Sequence, residues 1–192
     1  MTATARRVTT APTVDGKLDE AAWSATNSVT RDAIGTHNNS VRFGALWDDE
    51  CLYVGVEVLD ASLNADGAHT WESDSVEVYV DGDNSKTKGY DAHDTQVVLV
   101  WKGDKVARNG GGEAPGVRAA WAQREGGYTM EFAIPWSRLA VTPRVGMSIG
   151  FDVSNNDNDG GGRRSAKLMW STPDDEAWRD TSAFGELVLA DK

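Results

Sequence analysis

Two tryptophans stand where no periodic apolar neighbours account for them: Trp71 in HTWESD and Trp178 in DDEAWRD. A large ring in such a loop is exposed unless something covers it. An aromatic face offers the C–H groups of a sugar ring a flat, dry surface, while carboxylates and amides nearby hold its hydroxyls. The pattern therefore predicts either a pair of sugar platforms or two rings that merely lid the ends of the fold. The other six tryptophans, Trp23, Trp47, Trp101, Trp121, Trp136 and Trp170, lie in apolar or alternating contexts and read as core.

Carboxylates and amides crowd three loops, 60–74 (DASLNADGAHTWESD), 81–94 (DGDNSKTKGYDAHD) and 155–162 (NNDNDGGG). Hard divalent cations take six to eight oxygen ligands from such groups, and like charges packed into one loop repel unless a cation lies among them. Asp60, Asn64, Asp66 and Asp74 bracket the loop that carries Trp71, and Asp81, Asp83, Asp91 and Asp94 bracket the next. Neither follows the helix–loop–helix calcium pattern: DGDNSK has Lys86 where that loop needs glycine, and the third cluster, NNDNDG, lacks the closing Glu six residues on. On composition alone a solvated turn accounts for such clusters equally well.

The elements that must hold these loops have a period of two. Val41, Phe43, Ala45 and Trp47 alternate with small or polar residues, a turn at Asp48-Asp49-Glu50 follows, and Leu52, Val54, Val56 and Val58 resume the alternation, which predicts a hairpin. In SDSVEVYVD, Val76, Val78 and Val80 share one face, leaving Ser75, Glu77 and Tyr79 on a second, polar face expected to be reachable. Further strands are expected at 6–11, 27–35, 94–102, 117–124, 128–134, 146–155, 164–170 and 184–190, and short helical turns at Leu18–Trp23 and Pro135–Leu139. Many short strands with turn signals and almost no helix predict an all-β fold, an antiparallel, jelly-roll-like β-sandwich of two packed sheets. With no repeat or linker, one domain is expected over 1–192.

Composition narrows the function. A net charge of -11 repels phosphates, so nucleic acid and anionic membrane are poor partners. The single Cys51 leaves no internal disulfide and no zinc site with two or more cysteines. No apolar run approaches a membrane span, and the N-terminal MTATARR lacks the apolar core of a signal peptide.

In order and spacing, APTVDGKLDEAAW, LWDDECLYVGVEVLDASLN, WESDSVEVYVDGDNSKTKGYDAHDTQ, IGFDVSNNDNDGG and WSTPDDEAWRDTSAFGELVL resemble the family 9 carbohydrate-binding modules that accompany xylanases and other plant-wall hydrolases. The resemblance implies two packed antiparallel sheets, structural calcium and a site gripping the terminal one or two sugars of a chain between two Trp side chains. Those positions look like Trp71 and Trp178, with polar partners at Glu77 and Asp175. Periodicity supports Glu77 independently, because it projects opposite the valine face. Two positions depart from the family pattern: Asp175 stands where an amide is expected, and Val98, two residues after Gln96, where a guanidinium is expected. Losing that fork predicts shallow selectivity between sugars. Gln96 shares a face with Val98 and is expected beside Glu77, either supplying replacement hydrogen bonds or as ordinary sheet surface. The resemblance further implies a secreted monomer, covalently linked to a glycoside hydrolase domain outside this sequence and partnered by oligosaccharide or polysaccharide chain ends.

Rival readings remain at this point. A small glycosidase needs only two carboxylates, and 30 acidic residues discriminate nothing. Haem-binding relatives in the wider superfamily would need axial ligands from His37, His69, His93 or the four methionines. An interaction domain would present the exposed tryptophans to a protein partner. No nucleophile elbow, His-Glu-x-x-His or phosphate loop is present.

Overall fold

Alternating valines build strands because β-branched side chains pack well on a pleated, half-buried surface. In this computed structural model, which describes residues 1–108 and 111–191, there are thirteen strands. They are β1 (Thr2–Arg7), β2 (Asn27–Val29), β3 (Arg31–Ile34), β4 (Ser40–Trp47), β5 (Cys51–Leu59), β6 (Ser75–Asp81) and β7 (Asp94–Val100), then β8 (Ala107–Arg108), β9 (Arg118–Arg124), β10 (Gly127–Pro135), β11 (Ser148–Asp157), β12 (Ala166–Met169) and β13 (Gly185–Ala190). The helical residues among those described form two single 3₁₀ turns, Thr70–Glu72 and Trp136–Arg138. The second falls within the expected Pro135–Leu139. The expected turn at Leu18–Trp23 is present as a single non-helical turn, the Trp23 amide donating to Glu20 O at 2.9 Å, and Glu131 on β10 pins this stretch by accepting from Trp23 Nε1 at 3.0 Å and from the Gly16 amide at 2.8 Å.

Hydrogen bonding runs unbroken along β8-β7-β6-β11-β13-β1-β4-β5-β10-β9, with β12 joining β11 to β3 and β2 flanking β4. All pairs are antiparallel except those of β1, which lies parallel to both β13 and β4. This corrects the wholly antiparallel expectation. The N-terminal strand also begins earlier than expected, because Ala3 and Ala5 face inward and alanine gives only a weak alternation signal.

The two limbs of this path share one core. Phe43 on β4 lies 5.5 Å from Phe151 on β11, and Asn155 on β11 donates to the Tyr128 hydroxyl on β10 at 3.0 Å. Trp101, just after β7, packs 6.5 Å from Trp121 on β9. The six tryptophans read as core are buried or half-buried, and two find backbone partners, Trp47 Nε1 at Ala190 O and Trp136 Nε1 at Asp48 O, each at 2.8 Å.

The polar face of β6 is not reachable as expected. Tyr79 is fully buried and Glu77 is 2% exposed, because Met169, Ala177 and Phe184 pack over Tyr79 and Lys167 of β12 lies against Glu77. This covered outer face of β6, β7 and β11 floors the site.

Candidate functional site

Trp71 sits on the Thr70–Glu72 turn and Trp178 in the loop before β13, 49% and 45% exposed. Both line one cavity of about 740 Å³. His69 stacks on Trp71 at 4.5 Å and an interplanar angle of 11°, backing one face of the indole. The Arg179 guanidinium lies 5.3 Å from the Trp178 ring.

Strand register supplies the floor. On β6 and β7, Glu77 faces Val98 and Tyr79 faces Gln96, so all of Glu77, Gln96 and Val98 turn to the same cavity, as alternation predicts. Glu77 Oε1 accepts from Asn156 Nδ2 at 2.6 Å, and its Oε2 accepts from the Tyr79 hydroxyl and from Gln96 Nε2. Lys167 Nζ lies 3.7 Å from Glu77 and donates to Asp175 Oδ1 at 2.6 Å and to the Tyr79 hydroxyl at 3.1 Å. Arg164 completes the set, donating from Nη1 to Asn156 Oδ1 at 2.7 Å and from Nη2 to Asp175 Oδ2 at 2.8 Å.

Burial alone would raise the Glu77 carboxyl, but the Lys167 ammonium and the three hydrogen bonds outweigh it and hold Glu77 below the usual carboxylate range. Asp175 behaves alike: burial raises it, and Lys167 and Arg164 bring it down further. Two anions thus face two cations, so the quartet carries no net charge.

The six expected site residues are brought together. Four others of the same cluster, Tyr79, Asn156, Arg164 and Lys167, escape sequence reasoning. Lys167 reads as one polar residue in an apolar strand, and Arg164 as one of two arginines in a Gly-rich loop.

The acidic loops separate. Asp60 and Asp74 meet Asp157, the last residue of β11, with carboxylate oxygens within 4.8 Å of one another. Asp60 Oδ2 and both oxygens of Asp157 are buried without a partner, an arrangement that fits a hard cation and is costly without one. Burial, then the neighbouring carboxylates Asp60 and Asp159, push Asp157 up to about 7. Burial raises Asp74 to about 7 against the pull of the Asn64 and Asn158 amides. Asn64 and Asp66 form the rim of this trio, Asn64 donating to Asn158 O at 2.7 Å and Asp66 accepting from Asn158 Nδ2 at 3.2 Å.

In the second loop no three carboxylates come within that distance among the described residues, although Asn84 Oδ1 and Asp94 Oδ1 are likewise buried without a partner. Asp81 accepts from the Lys86 amide at 2.8 Å, Asp83 from the Ser85 amide at 3.1 Å, and Asp94 from the Asp91 amide at 2.8 Å, while Asp91 takes the His93 amide at 2.8 Å. The histidines do not converge either: His37 pairs with Asp32, His93 with Leu139 O, and His69 with Trp71.

Comparison with known proteins now bears on this geometry. The family model described as "Carbohydrate family 9 binding domain-like" matches residues 14–192. Exoglucanase XynX of Acetivibrio thermocellus is 35% identical over 183 residues, 94% of this chain and 16% of that protein. Endo-1,4-beta-xylanase A of Thermotoga maritima is 36% identical over 193 residues, 98% of this chain and 18% of that protein. The chain thus spans less than a fifth of these relatives. Among solved structures, a family 9 carbohydrate-binding module from Caldicellulosiruptor kristjanssonii in complex with cellotriose superposes with a TM-score of 0.89 at 24% identity, covering 100% of this chain and 95% of that one. A family 9 carbohydrate-binding module from the same organism in complex with glucose gives a TM-score of 0.88 at 24% identity, covering 100% of this chain and 97% of that one.

Proposed function

The chain belongs to the family 9 carbohydrate-binding modules, and from that premise we propose that it grips the terminal one or two sugars of plant cell-wall polysaccharide, glucan or xylan, between Trp71 and Trp178. It is a binding module and not a catalyst, since the matched family is one of binding domains and the match takes in only 16–18% of each enzyme.

The observation that carries the sugar reading is the pair of half-exposed indoles on one cavity whose floor is a charge-balanced polar cluster. Indole faces take the C–H surfaces of a ring, and hydroxyls, which both donate and accept, suit a floor of mixed donors and acceptors. The balance of Glu77 and Asp175 against Arg164 and Lys167 favours an uncharged sugar. The cellotriose and glucose complexes of family 9 modules from Caldicellulosiruptor kristjanssonii support the same class of ligand.

In this reading the two limbs of the strand path are the two sheets of a sandwich, one module over 1–192. It acts as a secreted monomer that holds a linked glycoside hydrolase near its substrate. A structural calcium ion lies among Asp60, Asp74 and Asp157, where it would neutralise the carboxylates and fix the loop carrying Trp71.

Isothermal titration with glucose, cellobiose, xylobiose and their reduced alditols tests this. Binding of the sugars but not the alditols supports a grip on the reducing end. Equal binding of cellobiose and its alditol overturns that end preference, and no binding of any sugar overturns the site.

A further inference from the structure

The two carbonyls that flank Trp178 in the chain, Ala177 O and Arg179 O, both accept hydrogen bonds from one loop, the connection from β6 to β7 over 82–93. The Tyr90 hydroxyl donates to Ala177 O at 2.7 Å and the Gly89 amide to Arg179 O at 3.0 Å. Just beyond, Lys88 and Asp180 form an isolated antiparallel β-bridge, and fully buried Thr181 donates from its hydroxyl to Thr87 O at 3.0 Å. Residues 87–90 thus run along the backbone that carries the indole. Tyr90 itself is half-buried against Tyr79, Ala177 and Phe184, outside the cavity lining.

The acidic residues of this loop fix its shape. Fully buried Asp81 accepts from the Ser85 amide at 3.2 Å and the Lys86 amide at 2.8 Å, and the Gly82 amide closes the base of the loop on His93 O at 2.8 Å. Side chains that bond turn amides in this way hold the turn in one conformation. Lys86 is kept at a φ of 50°, left-handed backbone that costs energy in a residue with a side chain. Such a conformation persists only where the surrounding contacts over-determine it. Loop 60–74 carries Trp71, and the equally acidic loop 81–94 serves the other indole without carrying it.

We infer that the β6–β7 loop is a buttress that presets Trp178 for stacking, with Tyr90 as its positioning residue. The inference rests on the sugar-site reading above. Stacking needs the indole plane held in place, and a side chain ordered before the ligand arrives loses less freedom on binding. The same loop joins the two strands whose Glu77, Gln96 and Val98 floor the cavity, so the floor and the support of one wall belong to one continuous segment.

The test compares wild type and Tyr90→Phe in calorimetric titrations with cellobiose and xylobiose, and by amide hydrogen exchange of each protein without sugar. Tyr90→Phe keeps the ring and removes one neutral hydrogen bond, so affinity should fall about 2- to 10-fold. The loss should be equal for both sugars, because it acts through the indole on which each stacks. Exchange at the Arg179 and Asp180 amides, which close their turn on Glu176 O, should quicken while the β6 amides hold. A tyrosine that merely supports the fold would lower stability across the sheet and leave the affinity of the folded protein unchanged. An affinity equal to wild type, a loss confined to one sugar, or exchange at Arg179 and Asp180 that quickens no more than that of β6 overturns the inference. If Tyr90→Phe does not fold, Gly89→Ala is held to the same pattern: its added methyl meets open space but strains a backbone at φ 89°, disturbing the other flank of Trp178. Wild type that binds neither sugar overturns the sugar site, whereas normal wild-type binding left unchanged in the variant overturns this inference alone.

Discussion

The Lys167 ammonium lies 2.6 Å from the Asp175 carboxylate at the base of the cavity, with 3% of the lysine side chain exposed. A cation so placed is tolerable only while its anions are present, and removing one partner of a buried pair leaves a charge uncompensated. Lys167→Met is therefore expected to destabilise the fold by about 3–5 kcal/mol, because Glu77 loses the ammonium that holds it ionised. The pH sign follows. Glu77 and Asp175 have folded pKa values below their ordinary ones, so their contribution is present above the ordinary carboxylate range and is lost as pH falls through the lowered values. Urea melts of wild type at pH 7 and pH 3 should show this loss, and Lys167→Met should flatten it. A variant as stable as wild type at pH 7 would show that the cluster is not coupled to folding.

Trp71 and Trp178 are expected to act as one site. Truncating either to Ala should cost about 2 kcal/mol or more of binding, the range of an interface hot spot, with little change in stability since both rings are half exposed. Titration with cellobiose, alongside thermal melts, checks both halves. Normal binding by either variant argues against the grip, and unfolding of either identifies that ring as structural.

The two indoles were legible because a large ring in a loop without periodic partners has nowhere to hide, and Glu77, Gln96 and Val98 because a period of two assigns faces. The rest depended on pairings distant in sequence. Whether Glu77 is solvated or enclosed is decided by Lys167, and β12 reaches it only through its pairing with β11. Asp157 joins Asp60 and Asp74 for a similar reason: its loop is acidic like its neighbours, and nothing local says which carboxylates converge. Loops 81–94 and 60–74 look alike in composition, and in both the carboxylates cap backbone amides and leave a buried oxygen without a partner; what differs is that Asp60 and Asp74 meet a third carboxylate, Asp157. β1 was misplaced because alanine alternation is faint.

Val98, 6% exposed, marks the apolar side of the floor. Val98→Arg places a guanidinium on this strand face and is expected to sharpen selectivity between glucose-type and xylose-type rings. The ratio of cellobiose to xylobiose affinity measures it. An unchanged ratio would show that this strand face does not touch sugar, and would remove Gln96 from the contact set as well.

Calcium is expected to stabilise the module without touching the sugar. An ion bound only by the folded state adds RT ln(1 + [L]/Kd), about 2.7 kcal/mol at a hundredfold excess. At roughly 2–4 °C per kcal/mol for a domain of this size, chelation at pH 8 should lower the melting temperature by several degrees. Protons compete for the same oxygens. With Asp74 and Asp157 each pushed up to about 7, the metal-free fold binds more protons than the unfolded chain between the ordinary aspartate range and about pH 7, so its stability falls as pH rises through that window. Calcium should therefore bind more weakly at pH 5 than at pH 8, and chelator should move the melting curve less at pH 5. Because Asp60 and Asp74 bracket the loop bearing Trp71, sugar affinity should fall with chelation too. Asp157→Asn should remove the response to added calcium and relieve part of the carboxylate repulsion in the metal-free protein. Calorimetric melts at both pH values, with elemental analysis of the purified protein, decide the matter. Absence of metal together with a melting curve indifferent to calcium at pH 8 would sink the site.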